Sequence, residues 1–343
     1  MAPVTNAKTI FAKVPTTYIE PGVHIKYDTS DTIDIDNVPL NGGVLLKTLV
    51  LSLDPYMRGK MRDPSKKSYT PSYDLGEPLT SHGIGLVLRS ENSAFKTGEH
   101  VYGTLSHQQY SVINDDPALR VVINELGVPW SAYVGVLGMP GQTAYYGWKE
   151  FSKAQKGETA FISTAAGAVG SLVVQLAKLD GLKVIASSGS DEKVAWTREI
   201  GADVAFNYKT ESTKDALERE GGFDIFWDNV GGETLDLALE KARVYGRFIK
   251  CGSASDYNKT EPYRVKNFGQ INRSSLTISG LLVFRLAHKY EKEFYETLPR
   301  LVKDGTLKHQ EDISHGLENV GQGLLDITTG ANKGKKVIIV AKE

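Results

Sequence analysis

The sequence predicts an α/β protein of two domains, a doubly wound parallel sheet joined to a β-rich domain, and three observations predict it. At 343 residues the chain exceeds the length at which a single core stops growing, so two cores are expected. From about residue 129 apolar strands alternate with helical segments, the order that builds a parallel sheet covered on both faces. Before that point the chain reads as short strands broken by Gly, Pro and Asn.

Taken in order, VLLKTLVLSL (44–53), GIGLVLRS (83–90) and EHVYG (99–103) give residues 1–128 their all-β character. WSAYVGVLGMPGQTAYYGWKEF then leads into TAFISTAAGAVGSLVVQLAKLDGLKVIASSGSDEK (159–193), which reads as a buried strand, a glycine turn, an amphipathic helix and a second strand. FDIFWDNVGG, RFIKCGS and LTISGLLV supply later strands. LTISGLLV is apolar enough for a pairing edge and fits a buried interior strand equally well. A helix, ETLPRLVKDG, follows after about residue 295, and the alternation in GKKVIIVAK returns the C-terminus to the β-rich domain. The expected domains are 1–128, completed by 299–343, and 129–298. No repeat or low-complexity segment interrupts them.

The glycine turn carries the first chemistry. The strand runs to about Ser163, and Gly167 and Gly170 keep the pattern A-x-G-x-x-G, with Ala165 where the commoner fingerprint has its first glycine. Gly167 lets backbone approach a pyrophosphate, and Gly170 lets helix pack on strand. The turn Ala166, Gly167 and the helix start Ala168, Val169, Gly170 offer N–H donors and a positive dipole end to phosphate, so no cation is needed there. Strand, turn, helix and strand in this order within about thirty residues make a Rossmann-type dinucleotide site.

The second strand, KVIASS, ends at Ser187 and Ser188, where an NAD enzyme places an acid for the ribose 2′-OH. Gly189 instead opens space and Lys193 follows within one turn, which suits a 2′-phosphate and predicts NADPH. Taken alone, Lys193 would be an ordinary solvated lysine at a helix start. Asp191 and Glu192 read as helix N-terminal acids pointing away. A ligand crevice outside the carboxyl ends of the parallel strands, facing the other domain, follows from this topology.

Composition narrows the class further. Forty Lys and Arg against 41 Asp and Glu leave a formal net charge of −1, so nothing asks for nucleic acid or an anionic membrane. No run approaches a membrane span and MAPVTNAKTIF lacks a secretory core, so a cytoplasmic address is expected. Cys251 is the single cysteine, which excludes a disulfide within one chain and a cysteine-rich zinc site. The seven histidines show no metal-ligand spacing, and no metal is expected. His82, in SHGIG, is the one histidine beside a glycine-rich segment that could line a pocket.

Across essentially its whole length the chain resembles the medium-chain dehydrogenase/reductases, and within them the NADPH-dependent alkenal double-bond reductases and prostaglandin (leukotriene B4 dehydrogenase) reductases. The resemblance rests on LSLDPYMRG (51–59), LGMPGQTAYYG (137–147), AAGAVGS (165–171), GSDEKV (189–194), FNYK (206–209), DNVGGETLD (228–236), CGSASDYN (251–258) and GANKGKKV (330–337). It implies that the β-rich domain is GroES-like, and that Lys193 and Tyr208 hold the 2′-phosphate. It places Asn229 and the loop Cys251, Gly252, Ser253 to Tyr257 along the ribose and nicotinamide, Leu281, Leu282 and Val283 beside the nicotinamide, and Asn332 over the cofactor. On the residues alone, Asn229 is a turn asparagine, Cys251 a buried small residue and Asn332 a helix C-terminal signal.

The same resemblance gives two of the sixteen tyrosines a chemical role. Tyr257 occupies the position that hydrogen-bonds the substrate carbonyl or positions the proton donor, and Tyr56 lines the substrate pocket from the β-rich domain. The implied reaction is zinc-independent reduction of the C=C bond of a small α,β-unsaturated aldehyde or ketone, by a homodimer. A zinc-free quinone reductase, oxidation of an allylic or secondary alcohol, and a non-enzymatic NADPH-binding protein of the same fold are the alternatives. Where relatives often read CGMISQYN this chain reads CGSASDYN, a departure that bears on substrate rather than cofactor.

Overall fold

The computed structural model describes residues 2–114 and 116–343. The chain divides into two compact units, Met1–Gly135 with Glu311–Glu343, and Val136–Gln310.

The first unit holds β1 (Val4–Thr5), β2 (Lys8–Phe11), β3 (Ile25–Asp28), β4 (Thr32–Ile33), β5 (Val44–Ser52), α1 (Tyr56–Lys60), β6 (Thr80–Ser90), β7 (His100–Ser106), β8 (Tyr110–Ile113) and β9 (Arg120–Val121). The second holds α2 (Met139–Phe151), β10 (Thr159–Ile162), α3 (Ala168–Leu179), β11 (Lys183–Ser188), α4 (Asp191–Glu199), β12 (Val204–Asn207), α5 (Thr213–Arg219), β13 (Phe223–Asp228), α6 (Gly232–Lys241), β14 (Ala242–Lys250), α7 (Gln270–Arg273), β15 (Thr277–Gly280) and α8 (Ala287–Lys303). β16 (Glu311–His315), α9 (Val320–Thr329) and β17 (Lys335–Ile339) return to the first.

In the β-rich unit the strands run β16-β17-β5-β6-β7-β9, with β8 also paired to β5. β5, VLLKTLVLS, is buried on both faces except at Lys47, which explains its near-continuous apolar run. The last strand, β17, pairs antiparallel to β5 and parallel to β16. Leu46, Leu51, Met57, Met61, Leu105 and Ile338 share the core. This unit is not wholly β. After β5, Asp54 and Pro55 start the five-residue helix α1, whose first turn is closed by Met57 N–H to Asp54 O at 3.0 Å and Arg58 N–H to Pro55 O at 3.1 Å.

In the second unit six strands, parallel throughout, run β12-β11-β10-β13-β14-β15. Counted from β10 this is the order 3-2-1-4-5-6, which places the switch point between β10 and β13. Phe161, Phe223, Phe226 and Phe248 pack one face, with Phe161 and Phe226 stacked at 4.9 Å.

The unit boundaries differ from the sequence reading, and of the two placements open to LTISGLLV the structure takes one. The units divide at Gly135/Val136 and Gln310/Glu311 rather than at 128/129 and 298/299. The 3-10 turn Trp130–Val134 stays with the β-rich unit, where Val134 O accepts from Ser52 Oγ at 3.3 Å. Beyond α8, Lys308 is tied to the dinucleotide unit through Gln175, which accepts from its N–H and donates to its carbonyl, both at 2.8 Å. LTISGLLV is an edge, since β15 ends at Gly280 and exposes Thr277, Ile278 and Gly280. No helix of the described residues is long and apolar enough to cross a membrane.

Candidate active site

The glycine turn lies at the carboxyl end of β10, at the switch point. Its sharp bend falls on Thr164, with φ +51°, a region a β-branched residue rarely adopts. Because Thr164 absorbs the bend, Ala165 can replace the fingerprint's first glycine; it is fully buried, and its N–H donates to Ser187 O at 3.0 Å. Gly170 has no such latitude, since a Cβ there would stand 2.4 Å from Thr164 O. The first bond of α3 runs from Ser171 N–H to Gly167 O at 2.9 Å. The helix therefore leaves the N–H groups of Ala168, Val169 and Gly170 for a phosphate.

At the end of β11 the buried Ser188 Oγ has no hydrogen-bond partner. Beyond it Tyr208 leans over Gly189, where a Cβ would come within 2.8 Å of the phenolic oxygen. Burial raises the Tyr208 pKa, so its hydroxyl remains a donor. Ser190 caps α4 by accepting from the Lys193 N–H at 3.4 Å. The carboxylate of Asp191 accepts from Asn207 Nδ2 at 2.9 Å, so it is turned towards β12. Gly189 and Tyr208 are thus brought together at one strand end, with Lys193 in the first turn of the helix that follows.

Across the switch point, Asn229 is bonded at both ends of its side chain. Nδ2 donates to Ser163 O at 2.7 Å and Oδ1 accepts from Trp227 Nε1 at 3.0 Å. Its backbone N–H donates to Ser163 Oγ at 2.9 Å, so Asn229 ties β10 to β13. Cys251 and Gly252 donate their N–H groups to Asp228 O at 2.9 and 3.0 Å, and Ala254 donates to Asn229 O at 3.1 Å. This fixes the loop that carries Ser253 and Tyr257. Gly252 is where the loop is tightest: a Cβ there would lie 2.9 Å from Asn229 O and 3.5 Å from the Tyr257 hydroxyl oxygen. Burial pushes the Cys251 thiol up to about 12, so it stays protonated and is no nucleophile at neutral pH. Leu281 is buried and donates to Lys250 O at 3.0 Å, while Leu282 and Val283 are half-buried after the end of β15.

Three residues absent from the sequence reading hold this region. Lys250 Nζ lies 2.8 Å from Asp228 Oδ2 and also donates to Gly252 O. Asp228 Oδ1 accepts from the N–H groups of Val230 and Gly231 at 2.9 and 2.7 Å. Asp236, buried in α6, accepts from Tyr263 Oη and from the N–H groups of Lys266 and Asn267, ordering the segment beyond Tyr257. An acid followed by two glycines at a strand end was the available signal for Asp228.

In the β-rich unit the half-buried Tyr56 opens α1, its ring 6.4 Å from that of His82, which stacks on Tyr102 at 5.5 Å. Burial, and then the Asp54 carboxylate, raise the Tyr56 pKa well above its ordinary value. Burial lowers that of His82, so both are neutral at pH 7. The turn before Tyr56 is held by a buried pair, Lys335 Nζ to Asp54 Oδ1 at 2.9 Å, with Lys335 also donating to Leu53 O at 2.5 Å and Ser52 Oγ donating to Asp54. Asn332 lies in the loop before Lys335, and its Nδ2 donates to Gly334 O at 2.7 Å. Among the described residues no group of three or more His, Cys, Asp and Glu side chains is placed to hold a metal ion.

Two family models match, N-terminal domain of oxidoreductase over residues 29–121 and zinc-binding dehydrogenase over residues 168–303. The NADP(+)-dependent 2-alkenal reductase of Nicotiana tabacum is 39% identical over 328 residues, covering 92% of this chain and 95% of its own. Prostaglandin reductase 1 of Bos taurus is 35% identical over 323 residues, covering 92% and 95%. The chain belongs to the medium-chain dehydrogenase/reductase family. Within this family it groups with the alkenal double-bond and prostaglandin reductases. The crystal structure of CurA of Vibrio vulnificus in complex with NADPH superposes with a TM-score of 0.89 at 28% identity, covering 98% of this chain and all of that one. The Rossmann-type sheet of the second unit and the separate β-rich sheet of the first are the fold of this family.

Proposed function

We propose that this oxidoreductase uses NADPH to reduce the C=C bond of α,β-unsaturated aldehydes and ketones, without zinc. The observation that carries the reading is the Tyr257 hydroxyl, seated against Gly252 at the carboxyl edge of the dinucleotide sheet.

The residues fit the cofactor. The turn from Ala166 to Gly170 accepts a pyrophosphate. The unpartnered Ser188 Oγ, Lys193 and the Tyr208 hydroxyl over Gly189 suit a 2′-phosphate. Asn229, Cys251 and Gly252 form the floor beside which a nicotinamide would lie, with Leu281, Leu282 and Val283 as its apolar border, and Asn332 is the further residue assigned to the cofactor. When bound, NADPH supplies a hydride for the β-carbon of the conjugated carbonyl.

The chain's own part is to place that carbonyl and to meet the charge that grows on its oxygen. Tyr257 O–H donates to the oxygen, and Tyr56 packs on the substrate. One preorganised donor of this kind is worth roughly 2.7–4 kcal/mol in comparable sites. Holding the β-carbon in line supplies much of the remainder.

The test is NADPH consumption with a 2-alkenal, an aryl enone, a quinone and the matched saturated aldehyde, with products identified. A saturated carbonyl product from the enal or enone is expected. Turnover of the quinone alone, or of the saturated aldehyde alone, would refute the reading and remove the role given to Tyr257.

The protein is further proposed to act in the cytoplasm on a small-molecule substrate, as a homodimer. The exposed edge strand β15 supports the dimer, since it offers an open row of backbone donors and acceptors to a second copy. Light scattering on the purified protein would measure the mass; a monomer at micromolar concentration would exclude the dimer.

A further inference from the structure

We infer that Lys250 is a positioning residue of the reductase: paired with Asp228, it holds the Gly252 peptide on which the Tyr257 hydroxyl rests, and so sets the donor that meets the substrate oxygen. This deepens, and rests on, the reductase reading.

β13 and β14 are parallel neighbours whose last residues, Asp228 and Lys250, stand in register. A lysine that ends an apolar strand ordinarily extends its head into water. Here the head turns back. Lys250 Nζ lies 2.8 Å from Asp228 Oδ2 and donates to Gly252 O. Room for it exists because position 231 is a glycine, where a Cβ would stand 3.0 Å from Nζ.

Asp228 is fully buried, so its charge depends on every partner it has. Oδ1 accepts from the N–H groups of Val230 and Gly231, and among the described residues the ammonium is the one partner of Oδ2. The Asp228 carbonyl in turn accepts from the N–H groups of Cys251 and Gly252. Gly252 therefore has its N–H held by Asp228 and its carbonyl held by Lys250.

That second bond matters because position 252 has space only for glycine, a Cβ there lying 2.9 Å from Asn229 O. Glycine gives the backbone its widest freedom, so the orientation of this peptide has to be imposed from outside. The Tyr257 hydroxyl oxygen would lie 3.5 Å from the same Cβ, which seats it over the peptide that Lys250 fixes. With an apolar side chain at position 250 the Gly252 carbonyl loses its donor, Asp228 keeps a buried charge without its ion partner, and the support under Tyr257 loosens. A displacement of about 1 Å at a reacting centre costs on the order of 10²-fold in rate.

The test uses the whole enzyme, saturated with NADPH and an aryl enone, in a double-mutant cycle that pairs Lys250→Met with Tyr257→Phe. The single-turnover rate of NADPH oxidation should fall by about 10–100-fold in Lys250→Met, with NADPH affinity nearly unchanged in a fluorescence titration. In the Tyr257→Phe background the same exchange should cost nothing further, because the hydroxyl it positions is gone. Deuterium uptake by residues 251–258 of the free enzyme should quicken in Lys250→Met. Lys250→Met combined with Asp228→Asn leaves no buried charge, and takes the place of the single variant in the cycle if that one does not fold. An unchanged rate on loss of Lys250, or an equal loss in both backgrounds, overturns the positioning role alone. A wild-type enzyme that leaves the enone unreduced, or a Tyr257→Phe variant as fast as wild type, overturns the reductase reading of Tyr257 and this role with it.

Discussion

Exchanging Lys335 for methionine removes one half of a pair in which both side chains are 5% exposed or less. The Asp54 carboxylate would keep its bond from Ser52 Oγ but lose its ion partner, and Leu53 O would lose a donor. Breaking a buried pair from one side costs about 3–5 kcal/mol, because the remaining charge stays buried without compensation. At roughly 2–4 °C per kcal/mol for a chain of this size, the melting midpoint should fall by about 6–20 °C. Replacing both residues, as in Lys335→Met with Asp54→Leu, should return most of that loss, since a well-packed apolar pair is often as stable as the ion pair. Because Leu53 and Asp54 lead directly into α1, the single variant should also raise KM for the enone at a temperature where it is fully folded. Thermal melts followed by circular dichroism, with kinetics on the same samples, would measure both. A single variant melting within about 2 °C of wild type, or a double variant no more stable than the single, would refute the reasoning.

Tyr257→Phe should lower kcat/KM for enone reduction by about 10²–10³-fold, with NADPH affinity nearly unchanged in a fluorescence titration; unaltered turnover would remove Tyr257 from the chemistry. Lys193→Ala should weaken NADPH by about 1.5–3 kcal/mol and leave NADH near its starting value; equal losses for both cofactors would mean a folding defect. Gly170→Ala should weaken NADPH and NADH alike, because its Cβ would stand 2.4 Å from a backbone oxygen of the phosphate turn; calorimetric affinities equal to wild type would contradict that crowding.

Much of the dinucleotide unit was legible because its signals are local. The run from Thr159 to Ser188 carries a strand, a glycine turn, a helix and a strand within a short span, and the structure places β10, α3 and β11 within it. The missing acid at Ser187 and Ser188 is a statement about one strand end. Ala165 shows the limit even here, since only the backbone reveals that Thr164 takes the bend. The edge position of β15 was not legible either. An apolar run such as LTISGLLV has the same composition at an edge and in an interior, and strand order decides between them.

By itself the sequence determined the fold class, the glycine turn and the small residues that end β11, because each depends on neighbours a few positions apart. The tertiary structure alone decided which distant groups meet. It brought Lys335 to Asp54 across 281 positions, set His82 against Tyr56, and placed the Tyr257 hydroxyl on Gly252. Those contacts depend on sheet order and on where loops fold back, and periodicity along the chain carries no record of which strands become neighbours in space.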